Sequence, residues 1–295
     1  MTFPDTFLNT SDSDDKRGTA EVTKTVEMIQ NNTVALHKWV PDGYKFVVAY
    51  VHGLQSHAGW SWELAMDIAE SGGAFFVMDR RGSGVSSGDR YKFPPANQII
   101  DDYVTFFCKT FEQAEERPVI AVGHCLGGSV LAATLSSNPE YLTRFRNIYF
   151  ASAWLGKMHT TIPEIGIEEI RKSETSEIWD AGLRAEDFSE NSYYQDFIRN
   201  DEFAIRGLAS STRKNILELE DIYLQSDELS AIEASFITSH DDPVIDVESA
   251  VENFCSIFPN YGAIHFLNAN RHYLPFTDAR HAFVGQLISG VKDAR

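Results

Sequence analysis

The chain has 295 residues, 43% of them apolar, enough for one large core or a core with an insertion. Its 43 acidic and 25 basic residues give a formal net charge of -18, and no Lys/Arg run is dense enough to track phosphates. That balance argues against a nucleic-acid partner. Three cysteines, at 108, 125 and 255, make neither a disulfide framework nor a paired metal knuckle. The start, Met1-Thr-Phe-Pro-Asp-Thr-Phe7, lacks the basic and apolar regions of a signal peptide, and no stretch approaches membrane-spanning length. A cytoplasmic protein without stable membrane insertion is expected.

Residues 1–20 read as a flexible, acidic tail. Glu21–Gln30 and Thr33–Val40 alternate about Asn31-Asn32, a hairpin pattern. Lys45–Val51 is an apolar run suited to a buried parallel strand. The loop after it, His52-Gly-Leu-Gln-Ser-His57, carries two histidines open to use as bases or ligands, though their spacing is a poor zinc signature. His52 is expected to fix loop geometry, and Gly53 to let the backbone approach a substrate. Trp60–Glu70 has helical spacing, and Ala74–Met78 reads as the next buried strand. The following Asp79-Arg-Arg-Gly-Ser-Gly84 has no helix directly behind it and no closing Lys-Ser/Thr, so it is not a phosphate loop. Asp79 is expected to pair with Arg80 and Arg81. Pro95–Ala114 reads as a long helix with Cys108 in its core face.

Pro118–Val122 is a strand that runs into Gly123-His-Cys-Leu-Gly127, and Leu126–Ser136 is the helix behind it. A strand, a sharp turn and a helix place Cys125 where a nucleophile can stand, with a helix-start N-H and the helix dipole favouring an anion. The same letters also fit a buried cysteine in a Gly-rich crossover. Arg146–Ser152 is a further strand, and Trp154 after it is placed to wall a pocket.

From 156 to 230 the strand–helix alternation stops. This stretch is charged and aromatic, with helices expected at Glu174–Ala185, Glu190–Arg199 and Ala209–Leu229 and no strong β signal. It reads as a helical cap over the active face, with Trp179 among the aromatics available to line a hydrophobic entrance. Strand rhythm returns at Ala234–Thr238 and Ala263–Leu267, with a helix at Glu248–Ile257 between them and another at Thr277–Val291. The core is therefore 21–155 with 231–295.

Loops at strand ends thus carry Cys125, the pair Asp241-Asp242, and His272, and a parallel sheet sends such loops to one edge. Thiol, imidazole and carboxylate are what covalent acyl chemistry requires. On these motifs the chain resembles the α/β-hydrolases, especially the monoacylglycerol-lipase-like and serine aminopeptidase branch. The matching segments are His52-Gly53, Asp79-Arg80-Arg81-Gly82-Ser83-Gly84, the elbow Gly123-His-Cys-Leu-Gly127, the late cap segment at Asn200-Asp201, and Ser239-His-Asp-Asp242-Pro.

The resemblance implies an eight-stranded, mostly parallel sheet with helices on both faces and the cap after the sixth strand. It implies a triad of Cys125, His272 and Asp242, the last chosen over Asp241, with backbone N-H groups of Leu54 and Leu126 as oxyanion donors. Two positions depart from the family pattern. Cys125 stands where Ser is usual, which points to a thioester acyl-enzyme and to acyl transfer or thioesterase chemistry. Arg271 precedes the base, where it either disfavours imidazole protonation or binds an anionic substrate. The expected substrate is a small acyl ester or thioester, with an amine, thiol or carbon acceptor as the transfer variant. No cofactor or metal is implied, and nothing in the sequence excludes a homo-oligomer. A serine esterase seen as a Ser-to-Cys variant and a silent binding protein on the same fold are the alternatives.

Overall fold

The computed structural model describes residues 21–156 and 164–292. The expected N-terminal tail and the first residues of the expected cap, 157–163, lie outside the described residues.

Two strands, β1 (Val22–Ile29) and β2 (Val34–Pro41), form an antiparallel hairpin. Gln30, Asn31 and Asn32 close it, all at positive φ, a conformation that Asn tolerates better than most residues. Then follow β3 (Phe46–Val51), β4 (Gly73–Met78), β5 (Val119–His124) and β6 (Asn147–Ala151). Two short strands, β7 (Ile178–Asp180) and β8 (Gly207–Ala209), pair antiparallel with each other. Last come β9 (Ser235–Ser239) and β10 (Ile264–Leu267).

The main sheet runs β1-β2-β4-β3-β5-β6-β9-β10. β2 alone runs against the sheet, antiparallel to both β1 and β4; every other neighbouring pair is parallel. Buried strands of this kind alternate between two apolar faces rather than between core and water. In β3, Val47, Ala49 and Val51 enter one core while Val48 and Tyr50 enter the other.

The first face is covered by α2 (Ala96–Ala114), which follows α1 (Trp62–Glu70) in the chain, and by α3 (Leu126–Ser137). The second face is covered by α1 and by the last helix. Cys108 is exposed, not in the core, although its thiol lies 3.0 Å from the Tyr141 hydroxyl. The buried stripe of α2 runs through Tyr103, Phe107 and Phe111, and the next residue along is turned about 100° away from it.

Between β6 and β9 the described chain holds α4 (Glu164–Lys172), α5 (Ala185–Phe188), α6 (Ser192–Asn200) and α7 (Lys214–Leu224). This corrects two expectations. Residues 178–180 form β7 instead of the middle of a helix, because Gly182 at φ 73° breaks any helix there and β8 supplies a pairing edge. Residues 207–209 form β8, so α7 starts only at Lys214, and α4 has no counterpart among the expected helices. A separate aromatic seam of Trp60, Phe188, Ile198, Tyr273 and Phe276 fastens this segment to the core. After β9, α8 (Val247–Ile257) packs Ala250 and Phe254 into the first face. The closing α9 (Arg280–Lys292) buries Phe283, Val284, Leu287 and Ile288 in the second.

One backbone contact fixes the sheet against α3. A Cβ on Gly127 would lie 2.1 Å from the Val51 carbonyl oxygen, and one on Gly123 would lie 2.8 Å from that of Gly127. Both neighbours are backbone and cannot step aside. Gly127→Ala is therefore expected to cost about 3 kcal/mol or more by denaturant unfolding. Gly285→Ala on α9, where an added Cβ meets nothing within 4 Å, should be neutral or stabilising by about 1 kcal/mol.

Candidate active site

At the end of β5 the chain turns so sharply that Cys125 takes φ 51° and ψ −127°. A non-glycine residue in that region is strained and is held there by its surroundings. The surroundings are visible: its N-H donates to the Ala151 carbonyl, and its own carbonyl accepts from Gly128 and Trp154. Cys125 is 5% exposed. Leu126 is the first residue of α3, so its N-H has no partner within the helix and stands at the positive end of the dipole.

The loop after β3 approaches this turn closely. A Cβ on Gly53 would lie 3.0 Å from that of Cys125 and 3.6 Å from the sulfur. Arg80, 2% exposed, donates from its guanidinium to the carbonyls of Gly53 and Leu54 at 3.2 and 3.1 Å. Because N-H and C=O point opposite ways across a trans peptide, tying the Gly53 oxygen to Arg80 leaves the Leu54 N-H on the other side. His52 completes the clamp. Its Nε2 accepts the Arg80 N-H at 3.0 Å, which makes Nδ1 the donor to the Gly53 carbonyl at 2.9 Å. Burial and the Arg80 charge lower its pKa to about 3, so it stays neutral and is not a base.

The expected Asp79–Arg80/Arg81 pairing is absent. Asp79 instead accepts from Ala58 and Val85 N-H and lies 2.9 Å from His37 Nε2. Arg81 makes a two-pronged bond to Asp102, at 2.7 and 2.9 Å. Adjacent residues after a strand point apart, and each charge found a partner on its own side. His57 is likewise structural: Nδ1 accepts from Gly59 and Nε2 donates to buried Asp201 at 3.1 Å. Asp201 also takes the Trp60 indole N-H at 2.7 Å.

The loops after β9 and β10 bring Asp242 and His272 together. His272 Nδ1 lies 3.0 and 2.9 Å from the two Asp242 carboxyl oxygens, and the ring is fully buried. Its backbone N-H donates to Asp187 on α5, and Phe188 packs edge-on against the ring at 5.8 Å. Asp242 also accepts from the Val244 and Ile245 N-H groups. Burial raises its carboxyl pKa, but His272 and those donors outweigh it and hold the group below its ordinary value. Asp241 is exposed and lines a separate polar cleft of about 590 Å³ with Glu190, His240 and Asp278.

His272 Nε2 is buried and makes no hydrogen bond among the described residues. Burial alone would lower this pKa, yet the Asp242 carboxylate and a thiolate charge at Cys125 together push it up to about 10. The arrangement can therefore set a thiol at a helix start beside a readily protonated imidazole, with two N-H groups available to an oxyanion.

The other expected residues fall further out. Arg271 pairs at 3.4 Å with Glu190 of the segment before α6, so its charge is countered there. Trp154 follows the turn and donates its indole N-H to Glu220 on α7. Trp179 sits half-buried on β7 under the Arg213 guanidinium, 4.0 Å from the ring centroid. Sequence reading missed the Arg80 clamp and the Asp201 and Glu220 anchors, since each meets residues far away in the chain. Among the described residues no cluster of three or more His, Cys, Asp or Glu could hold a metal, and no helix is long and apolar enough to cross a membrane.

A mostly parallel sheet in this strand order, with a strained turn after β5 and a His–Asp pair on the last two strand-end loops, defines an α/β-hydrolase fold. The chain belongs to the family described as serine aminopeptidase, S33, whose model matches residues 43–277. A monoacylglycerol lipase from Mycolicibacterium smegmatis is 29% identical over 96 residues, 32% of this chain and 34% of the relative. A monoglyceride lipase homolog from Monkeypox virus is 25% identical over 116 residues, 39% of this chain and 42% of the relative. The match thus spans about two-fifths or less of these curated relatives. Among solved structures, a soluble variant of monoglyceride lipase from Saccharomyces cerevisiae superposes with a TM-score of 0.74 at 15% identity, covering 94% of this chain and 96% of that one.

The His272 pair sets a pH test. Because its folded pKa lies above the ordinary 6.5, its stabilising effect is present below pH 6.5 and is lost as pH rises toward about 10. Imidazole NMR should show His272 still protonated at about pH 8. In Asp242→Asn, burial dominates and the ring should deprotonate below its ordinary value.

Proposed function

We propose that this chain is an acyl hydrolase acting on ester or thioester substrates through a thioester on Cys125. The observation that supports this most is the meeting at one sheet edge of a cysteine at a helix start and a fully buried His272–Asp242 pair. His272 Nε2 takes the thiol proton, and the sulfur attacks the acyl carbonyl carbon. The tetrahedral oxyanion is held by the Leu54 and Leu126 N-H groups; losing one such donor typically costs about 3 kcal/mol. Collapse breaks the bond to the leaving group, which takes the proton from His272. Water, deprotonated by the same nitrogen, then attacks the thioester and releases the acid and the thiol. Asp242 holds the ring and its tautomer throughout.

The segment at 156–230 acts as a cap. Its aromatic residues, with Trp154 and Trp179, offer an apolar lining for a medium or long acyl chain. That the curated relatives are lipases favours an ester of this kind. Cysteine in place of serine favours a second reading, transfer to an amine, thiol or carbon acceptor, since a thioester is more reactive toward such nucleophiles than an oxygen ester is.

Intact-protein mass spectrometry with a panel of acyl esters and thioesters tests this. An acyl adduct is expected on Cys125 and not on Cys108 or Cys255. Cys125→Ala and His272→Ala should each lower turnover by about 10³-fold or more. Loss of the adduct to water alone favours hydrolysis; loss that speeds with an added acceptor favours transfer. No adduct from any donor supports the silent binding protein instead.

A further inference from the structure

Among the polar side chains that helix α7 carries into the interior are Glu220 and Tyr223, three residues apart on one face. Both are buried, at 5% and 1% exposure, and neither takes part in the chemistry above. Both address the crossover at 152–156, where the chain leaves β6. Glu220 accepts the Trp154 indole N-H at 2.9 Å. The Tyr223 hydroxyl accepts the Gly156 N-H and lies 3.1 Å from Ser129 Oγ, which itself donates to the Trp154 carbonyl. The Trp154 backbone N-H in turn donates to the Cys125 carbonyl at 2.8 Å. Ser152 at the root of the crossover has φ 39°, so it too, like Cys125, is a non-glycine residue at positive φ. Two strained turns lie side by side and are tied to each other, and a side chain from the inserted segment anchors the tie.

We propose that Glu220 is a positioning residue for the nucleophile: acting through Trp154, it holds the crossover against the turn that presents Cys125. It touches neither substrate nor sulfur, so its effect is on how steadily the thiol is held. A misplacement of about 1 Å at a reacting atom can cost on the order of 100-fold in rate. The rate consequence rests on the acyl-chemistry reading; the geometric one does not.

The charges acting on Glu220 are few. Arg171 on α4 and Asp221 on its own helix are bonded to each other at 2.7 and 2.8 Å. Tyr223 shares its face, and α3, packed opposite, has no charged residue. Burial therefore dominates, and the carboxyl pKa is raised to about 7. A pKa raised in the packed state means the neutral form favours packing, so packing weakens as pH rises from about 4.5 through about 7. Glu220→Gln keeps an oxygen to accept the indole N-H and cannot ionise.

Three variants, Glu220→Ala, Glu220→Gln and Trp154→Phe, decide the matter, read by steady-state acyl-ester turnover and by amide exchange at 152–156 corrected for its intrinsic pH dependence. Glu220→Ala should lower kcat about tenfold with KM within about twofold, and Glu220→Gln should restore kcat to within about threefold of the natural protein. Trp154→Phe should lower kcat about as much as Glu220→Ala, and the double variant should have a kcat no lower than either single variant. Protection at 152–156 should fall between about pH 4.5 and 7 in the natural protein, level off above that, and stay level throughout in Glu220→Gln. A loss confined to KM, a Glu220→Gln variant as impaired as Glu220→Ala, or protection insensitive to both pH and Glu220 would overturn the proposal. If the natural protein turns over no acyl donor, the exchange arm decides alone. Protection lost in Glu220→Ala and kept in Glu220→Gln upholds the positioning role while the acyl reading fails.

Discussion

The close approach of α3 to the end of β3 is the constraint on which the site depends. Gly127 has the Val51 carbonyl where a side chain would begin, and Gly123 has the Gly127 carbonyl. With those two positions bare, the helix can start directly over the sheet edge, and Cys125 is forced into its left-handed turn between them. The loop at Gly53 comes so close that a Cβ there would meet that of Cys125 at 3.0 Å. Cys125, the helix start and the Leu54 peptide therefore share one small volume as a consequence of packing, not of any interaction among themselves.

Around that volume, charge is handled by burial in fixed partnerships. Arg80 is fully enclosed yet bonds two backbone carbonyls instead of a carboxylate, which commits its positive charge to shaping the Gly53–Leu54 peptides. Asp242 has three partners, the imidazole and two backbone N-H groups, and is kept ionised. His272 then carries a proton more readily than a free imidazole, in a place where burial alone would forbid it. Asp187 and Phe188 from the inserted segment hold His272 from the other side, so the imidazole is positioned by both parts of the chain.

The sheet and the residues that meet at its edge were legible in the sequence because each rests on a local signal. Apolar runs such as Phe46–Val51, the Asn31-Asn32 turn, and the spacing Gly123–Cys125–Gly127 dictate local geometry whatever surrounds them. What was not legible depends on contacts distant in the chain. The short β7–β8 pair is stabilised by an edge that only folding supplies, so its residues read as helix. Asp79 and Arg81, neighbours of Arg80 in sequence, look like ion-pair partners on paper, but alternation along the backbone sends them to His37 and Asp102. Glu220 reads as one more surface carboxylate on an acidic helix, and only the Trp154 indole 66 residues away gives it a reason to be buried.

The central claim is that an acyl group passes through the Cys125 sulfur. A donor labelled with carbon-13 at its carbonyl, mixed with the protein and quenched with acid, allows the bond to be identified by its chemical shift. A protein-bound carbonyl in the thioester range, absent from Cys125→Ala, is the predicted result. A bound carbonyl in the oxygen-ester or amide range, or a thioester signal that survives in Cys125→Ala, would contradict it.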